Sequence, residues 1–148
     1  MTEIKIAQKE HLSDISEIEK MCFSEPWSEN ALELFIKDGA FAAVCIIDGR
    51  VRSYCTVIQA LDEAQIVNVA THPTSRGRGY ARSVIERVIE ESRARSITSV
   101  SLEVRVSNVS AIGLYTSFGF EICGVRKGFY KNPKEDAYVM VKKIRRTV

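Results

Sequence analysis

The amino-acid sequence predicts a mixed α/β fold with about seven strands and four helices. Runs of alternating or β-branched apolar residues recur along the chain, and between them lie segments whose apolar residues follow helical spacing. An Asp48-Gly49 pair separates two apolar runs, which is typical of a β-hairpin. Between residues 66 and 89 the apolar period changes from strand to helix across a glycine-rich turn, so a strand there leads directly into a helix.

The first half of the chain predicts two helices and four strands. Ile4 and Ile6 alternate with polar neighbours, as in a short strand. Apolar residues at every third position predict a helix over 12–22. Ser28 is placed to cap a second helix that ends near Gly39. Three antiparallel strands follow, predicted over residues 40–47, 51–61 and 64–71.

The second half predicts two helices and three strands. The helix after the glycine turn has its apolar positions at 81, 84, 85, 88 and 89. A fifth strand alternates apolar and polar residues over 100–105. Ser107 or Asn108 caps the last helix, which Gly119 ends. The last two strands are predicted over 120–130 and 136–144, with a solvated basic tail over 142–146.

Composition limits the classes of function. At 148 residues the chain is the size of one domain, and we expect residues 1–148 to form it. A net charge of +2 is too mild for a general nucleic-acid binder, so no direct nucleic-acid partner is expected. No apolar run approaches the ~18 residues of a membrane span, and the sequence begins on a strand pattern rather than a signal peptide. We therefore expect a cytoplasmic protein with no membrane partner.

The cysteines and histidines offer little for metal or disulfide chemistry. Four cysteines lie inside apolar patterns without a C-x-x-C spacing, and they are interpreted as reduced core residues: Cys22, Cys45, Cys55 and Cys123. His11 and His72 are the only histidines, so neither a zinc site nor a histidine-based triad is expected.

The glycine-rich turn has the features of an anion-binding loop. Gly77 and Gly79 can adopt backbone angles that side chains forbid, and their N–H groups can approach a phosphate at the positive end of the new helix. Arg76 and Arg78 add positive charge. A dinucleotide fingerprint would need Gly or Ala where Arg82 stands, and no P-loop is present. On the loop alone, a turn that only links strand to helix is the alternative interpretation.

The motif Arg-x-x-Gly-x-Ala at 76–81 resembles the acetyl-coenzyme A pyrophosphate loop of the GNAT superfamily of N-acetyltransferases. Four further segments resemble one branch of it, the ribosomal-protein-alanine N-acetyltransferases: FSEPWS at 23–28, NVATHP at 68–73, LEVRVSN with AIGLY and GF over 102–120, and GVR through to EDA over 124–137. Two departures stand out. Gly113 replaces a usual alanine or larger residue, which softens a helix by ~1 kcal/mol, and Phe129-Tyr130 replaces the commoner Tyr-Tyr.

The resemblance implies the GNAT acyl-coenzyme A N-acyltransferase fold, with acetyl-coenzyme A as cosubstrate and no metal. It implies a protein N-terminus as acceptor, most specifically the N-terminal alanine of small-subunit ribosomal protein eighteen. The pyrophosphate would be held by Arg76, Gly77, Arg78, Gly79, Tyr80 and Ala81. Other acceptors remain open, namely other protein N-termini, lysine or a small amine. A non-catalytic acetyl-coenzyme A binding module is a further alternative, against which the candidate catalytic residues argue.

Two side chains are candidates for the proton transfers. Glu103 alternates with apolar Leu102 and Val104, which turns it away from their face, and the resemblance assigns it the general-base role. The alternative is a solvated strand glutamate. Tyr115 lies seven residues after Asn108 on the same helical stripe, and by resemblance it is the general acid for the coenzyme thiolate. The alternative is a core tyrosine with a satisfied hydroxyl.

Further residues are predicted to hold the two substrates. A backbone N–H at Val69 or Ala70 could stabilise an oxyanion if this strand bulges, and Val67 would lie beside the pantetheine arm. By resemblance, Asn108 hydrogen-bonds the pantetheine. The acceptor would be gripped by the 23–28 segment and the last hairpin, with contacts from Phe23, Pro26, Trp27 and Tyr130. Trp27 has two interpretations, a staple onto the core or part of the substrate wall.

Overall fold

A computed structural model describes residues 1–145 of the chain. The seven strands and four α-helices expected from the sequence are present, and two short 3-10 helices lie at Lys9–His11 and Pro73–Ser75. In chain order the main elements are β1 Thr2–Ile6, α1 Leu12–Cys22, α2 Glu29–Lys37, β2 Phe41–Ile47, β3 Arg50–Ala60, β4 Glu63–Thr71, α3 Tyr80–Ala94, β5 Ser99–Arg105, α4 Val109–Ser117, β6 Glu121–Lys131 and β7 Lys134–Lys143.

The strands form one mixed sheet in the order β1-β2-β3-β4-β5-β7-β6. All neighbours are antiparallel except β4 and β5, which run parallel because α3 connects them. These two strands share only three residue pairs, from Glu63–Ser99 to Gln65–Ser101. Beyond that point β4 continues to Thr71 and β5 to Arg105, but the two strands no longer pair with each other. The middle of the sheet therefore opens into a cleft.

A β-bulge shapes the β4 side of this opening. In the β3–β4 ladder Thr56 lies opposite Asn68 and Val57 lies opposite Ile66, so Val67 has no opposite residue. A bulge of this kind bends the strand and interrupts its ladder. The structure therefore has the bulge that the oxyanion hypothesis required.

Helices cover both faces of the sheet, which explains the apolar strands. Residues 41–46 of β2 are all buried, because alternate side chains enter different cores. Ala43 and Cys45 pack in the core that includes residues of α3, and Val44 packs in the core beneath α1 and α2. The alternation of β5 likewise buries Leu102 and leaves its neighbours partly exposed.

The C-terminal tail and two cysteines differ from expectation. Ile144 is buried in the main core and its N–H donates to the Thr98 carbonyl at 2.8 Å, so the tail is not wholly solvated. Arg146, the last residue of that predicted tail, lies outside the described residues. Cys123 is exposed because it lies on the edge strand at a register shift, and Cys22 is half-buried beside the cleft. Only the other two cysteines are core residues, as expected.

Candidate active site

A cleft of about 1000 Å³ occupies the gap between the separated ends of β4 and β5. Most of the predicted site residues line it although they are far apart in the sequence. These are Phe23, Val67, Val69, Ala70, Arg76, Gly77, Gly79, Tyr80, Ala81, Glu103, Asn108, Tyr115 and Tyr130. The splayed sheet thus brings together the glycine turn, both candidate proton-transfer residues and the last hairpin.

Three predicted residues do not line this cleft. Arg78 lines a smaller neighbouring pocket instead, and Pro26 is exposed. The Trp27 ring packs edge-on against Phe35 at a centroid distance of 4.9 Å and contacts the core beneath α1 and α2. This packing fits the staple interpretation of Trp27, and the ring does not line the cleft.

The glycine turn has the backbone geometry that glycine favours. Gly77 and Gly79 have φ values of +79° and +80°, and a Cβ atom at either would meet no other atom within 4 Å. Backbone conformation, rather than crowding, therefore calls for glycine here. Gly79 is the N-cap of α3, and its carbonyl accepts the first helical hydrogen bond from the Ser83 N–H at 3.2 Å. The N–H groups before Ser83 in the first turn have no acceptor within the helix, which suits an anion.

Two arginines extend the positive surface of the cleft. Arg76 donates to the Thr71 carbonyl at 3.4 Å. Arg82 donates to the Ser117 hydroxyl at 3.1 Å, and its guanidinium lies 5.1 Å from the centre of the Phe118 ring. These partners are uncharged, so both guanidinium charges stay available to an anion. Arg82 was not predicted to bind an anion, because in the sequence it served only to exclude a dinucleotide-binding fingerprint. Its position in the first turn of a predicted helix was the signal that could have indicated this role.

The backbone of β4 points one N–H group of the expected pair into the cleft. The Asn68 N–H donates to the Thr56 hydroxyl at 3.1 Å, and the Ala70 carbonyl accepts from the Ser53 hydroxyl at 3.1 Å, so both residues direct their polar groups towards β3. Successive residues of a strand direct theirs to opposite sides. The Val69 N–H therefore points away from β3, towards the cleft. Of the two oxyanion donors considered, Val69 fits and Ala70 does not.

Glu103 is held in the cleft by two side chains. Its side chain is 13% exposed, which does not fit a solvated strand glutamate. The Gln65 amide donates to one carboxylate oxygen at 2.8 Å, and Arg126 Nε lies 3.4 Å from the other. Sequence reasoning missed Gln65 and Arg126, because no local pattern links three different strands. Gln65 is the last residue of β4 that pairs with β5, so it lies at the closed end of the opening.

Tyr115 has an environment suited to a proton donor. The residue is 8% exposed, lines the cleft and packs edge-on against Phe120 at 5.7 Å. Burial first, and then the neighbouring Cys55 and Tyr130, raise the pKa of Tyr115 well above its ordinary value. Its hydroxyl therefore keeps its proton at neutral pH. Asn108 caps α4 as expected, because its Oδ1 accepts from the Ala111 N–H at 3.2 Å.

A side chain that the sequence did not single out, Arg105, supports the hairpin wall of the cleft. Its guanidinium lies 4.3 Å from the centre of the Tyr130 ring and forms an ion pair with Glu135 at 3.2 Å. It also donates to the carbonyls of Asn132 and Pro133 at 3.2 and 2.9 Å. Arg105 thus fixes the end of β5 to the β6–β7 turn. Burial raises the pKa of Tyr130, against the opposing effect of the Arg105 charge.

Within residues 1–145, no group of three or more His, Cys, Asp or Glu side chains is arranged to hold a metal ion. In the same part of the chain, no helix combines the length and the apolar character needed to cross a membrane.

Comparison with known proteins identifies the family. Residues 12–120 match the model of the acetyltransferase (GNAT) family. A putative [ribosomal protein bS18]-alanine N-acetyltransferase of Bacillus subtilis is 34% identical over 133 residues, which cover 88% of each chain. The [ribosomal protein bS18]-alanine N-acetyltransferase of Salmonella typhimurium is 32% identical over 142 residues, covering 95% of this chain and 96% of that one.

Solved structures agree on the fold. The ribosomal-protein-S18-alanine N-acetyltransferase from Escherichia coli superposes with a TM-score of 0.90 at 29% identity, covering 100% of this chain and 97% of that one. Ard1 from Thermoplasma volcanium gives a TM-score of 0.85 at 20% identity over 97% and 98% of the two chains, which is a likeness of fold alone. These matches show that the chain belongs to the acetyltransferase (GNAT) family, and its splayed sheet and glycine turn agree with that assignment.

Proposed function

We propose that this protein transfers the acetyl group of acetyl-coenzyme A to the N-terminal α-amine of a protein, with the N-terminal alanine of ribosomal protein bS18 as the favoured acceptor. One observation carries the proposal: a single cleft joins an anion-binding helix N-terminus, a held carboxylate at Glu103 and a protonated Tyr115. The names of the relatives supply the acceptor.

The coenzyme fits the polar groups that the cleft presents. The pyrophosphate would bind the free N–H groups of the first turn of α3, with Arg76 and Arg82 beside it. The pantetheine arm carries amide groups, and an unpaired strand edge binds such groups as it binds another strand. The edge of β4 beyond Gln65 is unpaired on the β5 side, and Asn108 faces it from the start of α4.

The transfer has three chemical requirements, and the cleft has a candidate group for each. The amine nitrogen attacks the thioester carbonyl carbon, and Glu103 accepts the proton that the nitrogen loses, directly or through water. The Val69 N–H stabilises the negative oxygen of the tetrahedral intermediate. The carbon–sulfur bond then breaks, and the Tyr115 hydroxyl protonates the departing thiolate. The products are an acetylated amine and free coenzyme A.

A terminal amine suits this site better than a lysine. An α-amino group has a pKa of ~7.7–8.0, whereas a lysine amine has a pKa near ~10.4. A fraction of the α-amine is therefore already neutral at cellular pH, and the base has less to do. An extended N-terminus would also reach the cleft past the hairpin wall at Phe129 and Tyr130.

The coenzyme site is tested by Gly79→Val. A valine here must adopt a φ near +80°, which strains a β-branched residue, and its side chain stands where the phosphate would approach. We expect the KM for acetyl-coenzyme A to rise by about tenfold or more, the equivalent of at least ~1.4 kcal/mol. Calorimetric titration with acetyl-coenzyme A measures the same loss without an acceptor.

Gly49→Val is the matched control. Gly49 has a φ of +84° and equal free space around its Cα, but it lies in the β2–β3 hairpin and does not line the cleft. Its replacement should reduce thermal stability and leave the affinity for acetyl-coenzyme A unchanged. If the Gly79 variant binds acetyl-coenzyme A as tightly as the Gly49 variant does, the anion-binding role of the turn is refuted.

The acceptor is tested with peptides that begin with alanine. We expect acetylation of the α-amine, and no transfer after that amine is blocked even where internal lysines remain. Tyr130→Ala should raise the KM for the peptide and leave coenzyme affinity nearly unchanged, since the ring lies on the hairpin wall. Trp27→Ala should instead lower stability, because the Trp27 ring packs on Phe35. Mass spectrometry of the products locates the acetyl group.

The same experiment identifies the competing acceptors. Efficient transfer to lysine in an α-blocked peptide would show that the protein is a lysine acetyltransferase and would refute the N-terminal assignment. Acetyl-coenzyme A binding without transfer to any amine would indicate a binding module. Comparison of N-terminal peptides from cells with and without the protein then tests bS18 itself.

A further inference from the structure

A buried carboxylate lies behind the cleft and takes no part in the steps above. Glu19 is on α1 and is 1% exposed. The groups that donate hydrogen bonds to it are all uncharged. A carboxylate in such a place is retained only if its lone pairs are well satisfied.

Three donors surround the Glu19 carboxylate. The Trp27 N–H donates to one oxygen at 3.0 Å, and the Asn68 side-chain amide donates to the other at 3.0 Å. The Tyr54 hydroxyl shares that second oxygen. Burial first, and then the hydrogen bond to Glu19, raise the pKa of Tyr54, so its hydroxyl remains a donor. Because an ionised carboxylate only accepts hydrogen bonds, this set of partners is complementary to it.

Two of the donors connect Glu19 to segments that line the candidate active site. Asn68 lines the cleft and lies in β4 between the bulged Val67 and Val69, where the regular ladder is interrupted. Trp27 belongs to the segment 23–28, of which only Phe23 lines the cleft. One buried carboxylate is therefore bonded both to the strand that would stabilise the oxyanion and to the segment that begins at Phe23.

Two side chains restrain Asn68 beside the bulge. The Thr56 hydroxyl bonds the Asn68 backbone, accepting from its N–H at 3.1 Å and donating to its carbonyl at 3.4 Å. The bond from the Asn68 side chain to Glu19 adds the second restraint on the same residue. Rotation of this peptide would turn the Val69 N–H out of the cleft, and a catalytic donor must be held in its final direction.

We propose that Glu19 is a positioning residue for acetyl transfer. Through the Asn68 side chain it fixes the bulge of β4 and hence the direction of the Val69 N–H. Through the Trp27 N–H it fixes the 23–28 segment, whose first residue, Phe23, lines the cleft. This inference rests on the proposed function, because Val69 is there assigned to the acetyl carbonyl.

Glu19→Gln tests the proposal, with Glu17→Gln as its matched control. Glutamine keeps the shape of Glu19, but its NH₂ group must face at least one donor. We expect kcat to fall about 10-fold to 100-fold, because a small misplacement of a catalytic group has an effect of that order. Acetyl-coenzyme A affinity should change less than about threefold, since the arginines and the glycine turn are untouched. Glu17 is on the same helix but exposed, and its replacement should change neither quantity.

Asn68→Ala supplies a second variant should Glu19→Gln fold poorly. It removes the link between the carboxylate and the bulge, and the half-buried position tolerates a smaller side chain. We expect the same pattern, a lower kcat with coenzyme affinity retained. Because both changes disturb the bond between Glu19 and Asn68, the combined loss of kcat in the double variant should be smaller than the product of the two single losses. An unchanged kcat in both single variants, or losses that multiply in the double variant, would overturn the proposal.

A spectroscopic readout separates this inference from the proposed function. In ¹⁵N-labelled wild-type protein, the Val69 amide resonance should shift when acetyl-coenzyme A is added, and Glu19→Gln should shrink that shift at saturating coenzyme. This measurement needs no acceptor. If the protein acetylates neither peptides nor other amines but the Val69 shifts still differ in this way, only the proposed function is refuted. An identical Val69 shift in both proteins refutes the role of Glu19, whatever the acceptor.

Discussion

Glu103→Gln is expected to lower kcat by roughly 10²–10⁴-fold, the range for a lost general base. Glutamine has nearly the same shape and can still accept the hydrogen bond from Gln65, but it cannot take a proton from the amine. The ion pair with Arg126 would also be lost, yet Arg126 is 59% exposed and such pairs contribute only about 0–1 kcal/mol. Stability and coenzyme affinity should therefore remain close to those of the wild type.

Turnover is best measured with an alanine-initiated peptide at saturating concentrations of both substrates, across pH 6–9. Glu63→Gln provides the control, because Glu63 is an exposed residue of the neighbouring strand that does not line the cleft. Turnover should fall throughout this range in the Glu103 variant and remain unchanged in the control. Near-normal turnover in the Glu103 variant would show that Glu103 is not the base.

Tyr115→Phe is expected to lower kcat by about 10²-fold or more, since phenylalanine cannot protonate the departing thiolate. The ring would keep its contact with Phe120, so the fold should be retained. Because burial raises the pKa of Tyr115, the hydroxyl is protonated throughout the neutral range. The loss should therefore be nearly constant between pH 7 and pH 9, as kcat measured at each pH will show.

Tyr138→Phe controls for the removal of a phenol from the main core. Tyr138 is half-buried on β7, packs against that core and does not line the cleft. Its variant should retain wild-type kcat. A thioester with a better leaving group than coenzyme A should also restore part of the activity of Tyr115→Phe, because its thiolate needs no proton. Equal effects of the two substitutions would return Tyr115 to a structural role.

The sequence predicted features that depend on neighbouring residues. The alternation in β5 placed Leu102 in the core and Glu103 off that face. Asp48-Gly49 forms the expected hairpin turn, with positive φ at both residues. Asn108 caps α4, and the glycine turn opens α3. Each of these depends on local backbone preferences that a few adjacent side chains determine.

Features that depend on strand order were not predictable from local patterns. Arg126 lies on β6 and Glu103 on β5, and the Arg126 side chain reaches the carboxylate across β7, which lies between the two strands. Gln65 meets the same carboxylate because β4 and β5 are parallel. The Glu19 network joins α1 to two strands that follow much later in the chain. Such contacts follow from tertiary packing, on which sequence periodicity carries no information.

Trp27 illustrates the same limit. An exposed loop that contains a proline and a tryptophan fits either a substrate wall or a core contact, because the ring is amphipathic. In the structure α2 presents Phe35 to the ring, a contact that fits the staple interpretation and that the local sequence does not indicate.

The short β4–β5 ladder has a consequence for the persistence of the folded state. Three residue pairs join two half-sheets, β1–β4 and β5–β7–β6, and α3 packs chiefly on the first of these. Because so few backbone pairs hold this seam, we expect the amide hydrogens of these pairs to exchange before those of the longer β2–β3 and β5–β7 ladders. The proposed cosubstrate, bound across the seam, would stabilise the closed form by about 2.7 kcal/mol at 100 times its Kd. We therefore expect the resistance of the protein to proteolysis to increase with the concentration of acetyl-coenzyme A.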